Sequence, residues 1–250
     1  MIEFDNTSRK YGSKTAVDRL TLTIPPGEMF ALLGPNGAGK TTTIKMLVGL
    51  LRPSAGTVRI CSYDIGTEAR QAHRCLGYVP DEPYLYEKLS GREFLQFIAD
   101  LYGLGREESA TRVAREISAF ELAEFVDQMT ESYSHGMKQR LVFAAALLHD
   151  PAVLVLDEPM LGLDPRSMRL VKDMLRERAN AGMAVFMSTH TLGLAEEIAD
   201  RIGIVDRGRL RFLGTVDELR RQLAQEHTSL ERMYLELTAT AEEAAARDSD

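Results

Sequence analysis

The chain is short of three things, and each shortage closes a class of function. Cysteine is scarce: Cys61 and Cys75 are the only two in 250 residues. They fit neither a metal-ligand spacing nor a disulfide framework, so they read as reduced thiols of a cytosolic protein. Long apolar runs are missing as well. The longest, Leu141 to Leu148, is closed by Arg140 and His149, far short of the roughly 20 residues that cross a bilayer. It reads as a buried helix face. The N-terminal stretch MIEFDNTSRK carries Glu3 and Asp5 and no apolar segment, unlike a secretory signal. Positive charge is in deficit, since 30 Lys and Arg against 37 Asp and Glu leave a net charge of −7. A duplex-binding surface needs a basic stripe, so no nucleic-acid partner is expected. No internal repeat is found.

What is present is ordinary for a globular chain, 44% hydrophobic and 27% charged. The length suits one large α/β domain with a smaller piece inserted. Apolar runs without polar alternation recur at Met29–Leu33, Leu76–Val79, Val153–Leu156, Ala184–Met187 and Ile202–Val205. Such runs predict parallel strands covered on both faces, and the helical patterns between several of them predict βαβ units. Ile2–Phe4, Leu20–Ile24 and Thr57–Cys61 are shorter β-like pieces separated by turns, which predict a small, partly antiparallel sheet packed on the main one.

From about 84 to 131 the pattern turns helical. Phe94, Phe97, Ile98 and Leu101 form one stripe expected to face the core, and Val113, Ile117 and Phe120 form another. A helical subdomain, about 84–140, is therefore expected between two strands of the sheet. Beyond Gly214 the pattern predicts a helix or two, followed by the acidic tail AEEAAARDSD, expected to fray. The expected division is 1–215 and 216–250.

The chemistry begins at GPNGAGKTT, which is Gly34, Pro35, Asn36, Gly37, Ala38, Gly39, Lys40, Thr41 and Thr42. This stretch follows the apolar run MFALL, precedes a helical pattern, and satisfies the phosphate-loop pattern G-x-x-x-x-G-K-[ST]. Glycines let backbone N–H groups close round a phosphate, and the following helix points its positive end at the anion. Lys40 is expected to neutralise β/γ oxygens and the Thr41 hydroxyl to ligate Mg²⁺.

A matching acidic half is expected at the end of another buried strand, and AVLVLDEP supplies it. Asp157 is the candidate to hold the hydrated metal, and Glu158 to polarise the attacking water. Two adjacent carboxylates at the end of an apolar run are costly without a cation nearby. Ser188, Thr189 and His190 follow the run AVFM in the same manner. A histidine at a strand's carboxyl end faces the ligand crevice of an α/β sheet, so His190 is a candidate γ-phosphate sensor.

These motifs, in this order, resemble the nucleotide-binding subunit of an ATP-binding cassette (ABC) transporter. The deciding stretch is SYSHGMKQR, residues 132–140, similar to the family signature LSGGQ; from Ser134 to Asp157 is 157 − 134 = 23 residues. The resemblance runs from Tyr11 to about Gly214. It implies a P-loop NTPase core with a mostly parallel sheet, an N-terminal antiparallel β subdomain and an inserted helical subdomain. It further implies that Tyr11 stacks on adenine, with Val17 packed nearby. Ser134 and Gly136 would contact the γ-phosphate held by an opposing subunit, while Asp164 matches a loop that communicates across that dimer.

Three positions depart from the family pattern. Asp81 stands where a glutamine usually meets Mg²⁺ and water, His135 replaces the first signature glycine, and Met137 replaces the signature glutamine. An aspartate can still ligate the metal, with an added charge and a shorter reach.

The resemblance implies a cytoplasmic ATPase, peripheral on the inner face of the membrane, which binds ATP and Mg²⁺. It would pair with a second ATPase subunit, in a homo- or heterodimer, and drive a separately encoded transmembrane permease. YSHGMKQRL and the short C-terminal extension resemble bacterial exporters, so export is expected over import. Two alternatives stay open: a single-cassette ATPase of an assembly process such as iron–sulfur cluster assembly, or a non-hydrolysing nucleotide switch.

Overall fold

The computed structural model describes residues 1–225. The acidic tail expected to fray lies outside the described residues.

The chain opens with two long antiparallel strands, β1 (Ile2–Tyr11) and β2 (Lys14–Ile24), followed by β3 (Met29–Leu33) and helix α1 (Lys40–Leu47). Next come β4 (Ala55–Ile60), β5 (Tyr63–Asp64), α2 (Ala69–Arg74) and β6 (Leu76–Val79). Helices α3 (Gly91–Leu101), α4 (Arg106–Ala119) and α5 (His135–Leu147) all fall between β6 and β7 (Val153–Asp157). The rest alternates: α6 (Pro165–Asn180), β8 (Ala184–Thr189), α7 (Leu192–Ile198), β9 (Arg201–Asp206), β10 (Arg209–Gly214) and α8 (Val216–Gln225).

Two sheets result. The antiparallel one runs β2-β1-β4-β5, and the main one runs β10-β9-β3-β8-β7-β6. In the main sheet β9, β3, β8, β7 and β6 are parallel to their neighbours, and β10 alone is antiparallel. All five runs expected as parallel strands are in it. The N-terminal strands are far longer than the expected pieces, because polar positions alternate with buried ones and hide the strand period. Leu20, Leu22 and Ile24 are buried between exposed neighbours, and Phe4 and Val17 between partly exposed ones.

The main sheet separates two apolar cores. Phe30, Leu32, Val153, Val155 and Phe186 point to the side covered by α1 and the antiparallel sheet. Met29, Ala31, Leu33, Leu154, Leu156, Val185 and Met187 point to the side covered by α3 to α7. Both faces of each strand are thus apolar, which is why these runs show no polar alternation.

Helix α3 corrects one expected stripe. Its buried face is Gly91, Phe94, Leu95 and Ala99, whereas Phe97 is half exposed and Leu101 is 66% exposed. Phe97 instead meets Tyr86 edge-on, with ring centroids 5.5 Å apart, in an aromatic surface group beside Tyr84. Helix α3 packs on α4 and α5, with Phe94, Leu95 and Ala99 in the core and Ile98 packed against it. On α4, Val113 and Ile117 are buried as expected, as is Phe120 just after it. A capping box starts α3: Ser90 Oγ accepts from the Glu93 N–H, and Glu93 Oε2 accepts from the Ser90 N–H.

Candidate functional site

The carboxyl ends of β3, β7 and β8 lie side by side, and the chain leaving each one carries a candidate residue. After β3 the loop 34–39 turns into α1, whose first residue is Lys40. Gly39 has φ of +112°, and a Cβ there would stand 2.4 Å from the Ala16 carbonyl oxygen. Gly37 also has positive φ, and a Cβ on Gly34 would stand 2.5 Å from the Val205 carbonyl oxygen. The glycines are therefore demanded by backbone geometry.

Lys40 is buried, and its ammonium donates to the Gly34 carbonyl at 2.6 Å and to the Pro35 carbonyl at 3.3 Å. Burial pushes its pKa down, and the negative charges of Glu158 and Asp157 partly restore it. Its ammonium lies inside the loop that would wrap a phosphate.

Asp157 ends β7 and is buried. Ser188 on β8 donates its hydroxyl to Asp157 Oδ1 at 2.5 Å and accepts the Glu158 N–H at 3.3 Å. One serine so fixes both carboxylate residues. Burial pushes the Asp157 carboxyl up, the charges of Asp81 and Glu158 add to this, and Ser188 and Lys40 oppose it. Tyr78 nearby is pushed up to about 12, first by burial and then by Asp157 and Asp81.

Glu158 sits between Lys40 and His190. Its Oε1 is 3.9 Å from Lys40 Nζ and 2.9 Å from His190 Nδ1. Its backbone is left-handed, with φ of +46°, a conformation that a residue with a side chain holds only where its surroundings enforce it. A carboxylate held this way can accept a proton from a water at the cleft floor.

Lys40, Asp157 and Glu158 bound one cleft of about 430 Å³, lined also by Tyr11, Lys14, Ala16, the phosphate loop and Asp81, whereas His190 lines an adjoining pocket that shares Glu158. Tyr11 is half exposed at the end of β1, with the Arg9 guanidinium 4.9 Å from its ring centroid. Val17 is not in the lining. Its side chain is 2% exposed and belongs to the core under the antiparallel sheet, while Ala16 and Lys14 face the cleft. Strand alternation turns Val17 inward. Ser188 received no role from the sequence, and its only signal was being the first polar residue after an apolar run.

The remaining candidates lie elsewhere in the chain. Ser134 caps α5, accepting from the Met137 N–H at 3.3 Å, and Gly136 is in the first turn. Asp164 caps α6, its carboxylate accepting from the Arg166 and Ser167 N–H groups and from Ser167 Oγ at 2.6 Å. Asp164 lines a second cavity, with Arg140, Arg166 and Phe125. None of the three lines the Lys40 cleft.

The cleft fits a magnesium–nucleotide. Its glycine-rich loop turns through positive φ at Gly37 and Gly39, and a buried ammonium lies within it. Three carboxylates line it, and the burden on Asp157 is relieved by a cation. Among the described residues no three His, Cys, Asp or Glu side chains cluster tightly enough to hold a metal alone.

Fold and cleft together define a P-loop nucleotide hydrolase. Residues 17–161 match the family model described as ABC transporter. The chain is 38% identical over 219 residues to the linearmycin resistance ATP-binding protein LnrL of Bacillus subtilis (strain 168), covering 88% of this chain and 70% of that protein. It is 37% identical to the daunorubicin/doxorubicin resistance ATP-binding protein DrrA of Streptomyces peucetius, covering all of this chain and 78% of that protein. The Nod factor export ATP-binding protein I of Paraburkholderia xenovorans (strain LB400) is 39% identical over 83% of this chain and 68% of its own length.

A solved ATP-binding subunit of an ABC transporter superposes with a TM-score of 0.88 at 34% identity, covering 95% of this chain and 99% of that one. The cassette MJ0796, solved as a dimer after hydrolysis with ADP and Pi, superposes at 0.78 over 86% of this chain and 99% of that one; at 23% identity it shows the fold alone. The chain belongs to the ABC transporter family as an ATP-binding subunit, and it is an ATPase.

Proposed function

We propose that the chain hydrolyses MgATP within a head-to-tail pair of ATPase subunits and thereby drives a separate transmembrane permease, in export rather than import. The observation that carries this is the joint engagement of Glu158 by Lys40, inside the phosphate-loop cleft, and by His190 beside it. Relatives named for drug resistance and for Nod factor export support the direction.

In this reading the loop 34–42 wraps the triphosphate, with Lys40 moving from its carbonyl partners to phosphate oxygens. Tyr11 stacks on the base. Thr41, Asp157 and Asp81 hold Mg²⁺, which when bound neutralises phosphate charge. Glu158 takes a proton from water, and His190 orients Glu158 and senses the terminal phosphate. Ser134, Gly136 and Asp164 lie outside the Lys40 cleft, which suits contacts to nucleotide in an opposing subunit. Asp81 is exposed yet lines the cleft, so an aspartate there still reaches the metal's surroundings.

The permease is assigned to an apolar groove of about 340 Å³ between the Asp81 loop and α3, lined by Leu50, Tyr78, Pro80, Tyr84, Ile98 and Tyr102. Leu50 and Tyr84 are 69% and 79% exposed, a patch suited to an apolar segment of a membrane partner. Among the described residues no helix is long and apolar enough to cross a membrane. Association with the inner membrane face is accordingly placed on the permease. The helices of 84–140 are taken as the subdomain that moves on nucleotide binding, and 216–250 as an extension.

Replacing Glu158 with Gln tests the assignment. Steady-state ATP turnover should fall by at least about 100-fold, and the variant should elute as an ATP-bound dimer in size exclusion. Unchanged turnover would remove Glu158 from the reaction. The iron–sulfur and non-hydrolysing alternatives are separated by the same assay on the unsubstituted chain, combined with recovery in the membrane fraction.

A further inference from the structure

Two side chains of α5 reach the loop that carries Glu158. Gln139 is 1% exposed, its Nε2 donates to the Pro159 carbonyl at 3.4 Å, and its Oε1 is buried without a hydrogen-bond partner. A buried amide satisfied on one side only contributes little to stability, and its one contact is to the loop that follows Glu158. His135, one helical turn earlier, places Nε2 3.1 Å from the Leu161 carbonyl oxygen. A carbonyl only accepts, so this nitrogen carries the proton. Residues four apart share a helix face, and α5 therefore grips the 158–162 loop at two points.

The fit depends on the glycine at 162. Gly162 has φ of +74°, and a Cβ on it would stand 2.7 Å from His135 Cδ2 and 2.9 Å from Nε2. The imidazole occupies the space that Gly162 leaves open. The loop is otherwise closed by its own hydrogen bonds, from the Leu161 N–H to the Glu158 carbonyl at 3.1 Å and from the Leu163 N–H to the Met160 carbonyl at 3.3 Å. Glu158 itself is left-handed, and the opposite side of its backbone is held by Ser188. The loop is thus clamped between β8 and the first turns of α5.

We propose that His135 and Gln139 are positioning residues for hydrolysis. They hold the 158–162 loop so that the Glu158 carboxylate stays within reach of Lys40 and His190. They also tie the carboxylate to the α5 N-terminus, where Ser134 lies, so that a shift of that helix must move the loop. The proposal rests on the reading that Glu158 acts on water. It gives the histidine at a position usually occupied by glycine a use: a side-chain donor reaching a loop that glycine could not reach.

The test uses the full chain and its ATPase rate. His135→Ala and Gln139→Leu should each lower kcat roughly tenfold, since small misplacements of a reacting group cost one to two decades. KM for ATP should stay within about twofold, because the nucleotide contacts are untouched. His135→Gln, whose Nε2 can reach the same carbonyl, should restore most of kcat. In a Glu158→Gln background, His135→Ala should leave the ATP concentration for dimerisation unchanged.

Unaltered kcat in both single variants overturns the proposal. So does a rise in KM, or a shifted ATP dependence of dimerisation, because His135 would then act on the nucleotide directly. Failure of His135→Gln to rescue, with a melting temperature lowered as in His135→Ala, would mark the contact as merely structural. If Glu158→Gln is as active as the unsubstituted chain, the hydrolytic reading itself fails, and that result is independent of α5.

Discussion

The carboxylates at the cleft are held by a neighbour the chain brings from far away, and the ammonium by its own loop. Asp157 and Glu158 share Ser188 across two strands, and Lys40 rests on the carbonyls of its own loop. The chemistry of these residues was legible, because a carboxylate pair or a Gly-Lys-Thr step has few uses after a buried strand. Val17 is not in the lining for a local reason: the residues that face the cleft are its neighbours Ala16 and Lys14. A titration is expected at this scale. His149 stacks on Tyr102 with ring centroids 3.7 Å apart, its Nε2 donates to the Leu76 carbonyl, and burial lowers its pKa to about 4. The unfolded pKa is near 6.5, so the folded state takes up its proton later than the unfolded state. Stability is then fully present above pH about 6.5 and is lost as pH falls towards 4. The loss should approach at most about 3 kcal/mol. His149→Phe should flatten that limb in chemical denaturation measured across the interval, and an equal slope in both proteins would refute the assignment.

Among the elements, the parallel strands were visible because both of their faces are buried. The antiparallel pair was only half visible, since one face alternates with solvent. Helix α3 illustrates the limit of periodicity: Phe97 and Leu101 keep the spacing but belong to the surface, and the partner helices select Leu95 and Ala99 instead. No sequence pattern announced the ion cluster joining α4 to α6. Glu116 is fully buried and pairs with Arg115 at 2.7 Å and Arg178 at 3.1 Å, while Asp150 receives Arg112, Arg115 and Arg178. Removing the buried carboxylate leaves two guanidinium groups short of their counter-charge. Glu116→Ala should therefore cost roughly 3 kcal/mol, read as a lowered denaturation midpoint at unchanged slope. A loss below about 0.5 kcal/mol would show that Asp150 suffices.

On the scale of the whole molecule, the main sheet splits the apolar interior in two and lines up three strand ends over one cleft. Ligand binding there must stabilise the fold as a unit. At 100 times its dissociation constant MgATP should add about 2.7 kcal/mol. A thermal scan should show the gain in the unsubstituted chain and lose it in Lys40→Ala at equal nucleotide. A retained gain in that variant would place the nucleotide outside the loop. The sequence by itself determined the order of the elements, the phosphate loop, the acidic strand end and the family, because each rests on neighbours within about ten positions and on periods of local geometry. Tertiary structure alone decided that one serine would hold both carboxylates, that the buried face of α3 would shift, and that α5 would reach the Pro159 and Leu161 carbonyls. Backbone oxygens are the same in every residue, so which one a side chain will meet is settled only when the helices and strands are packed.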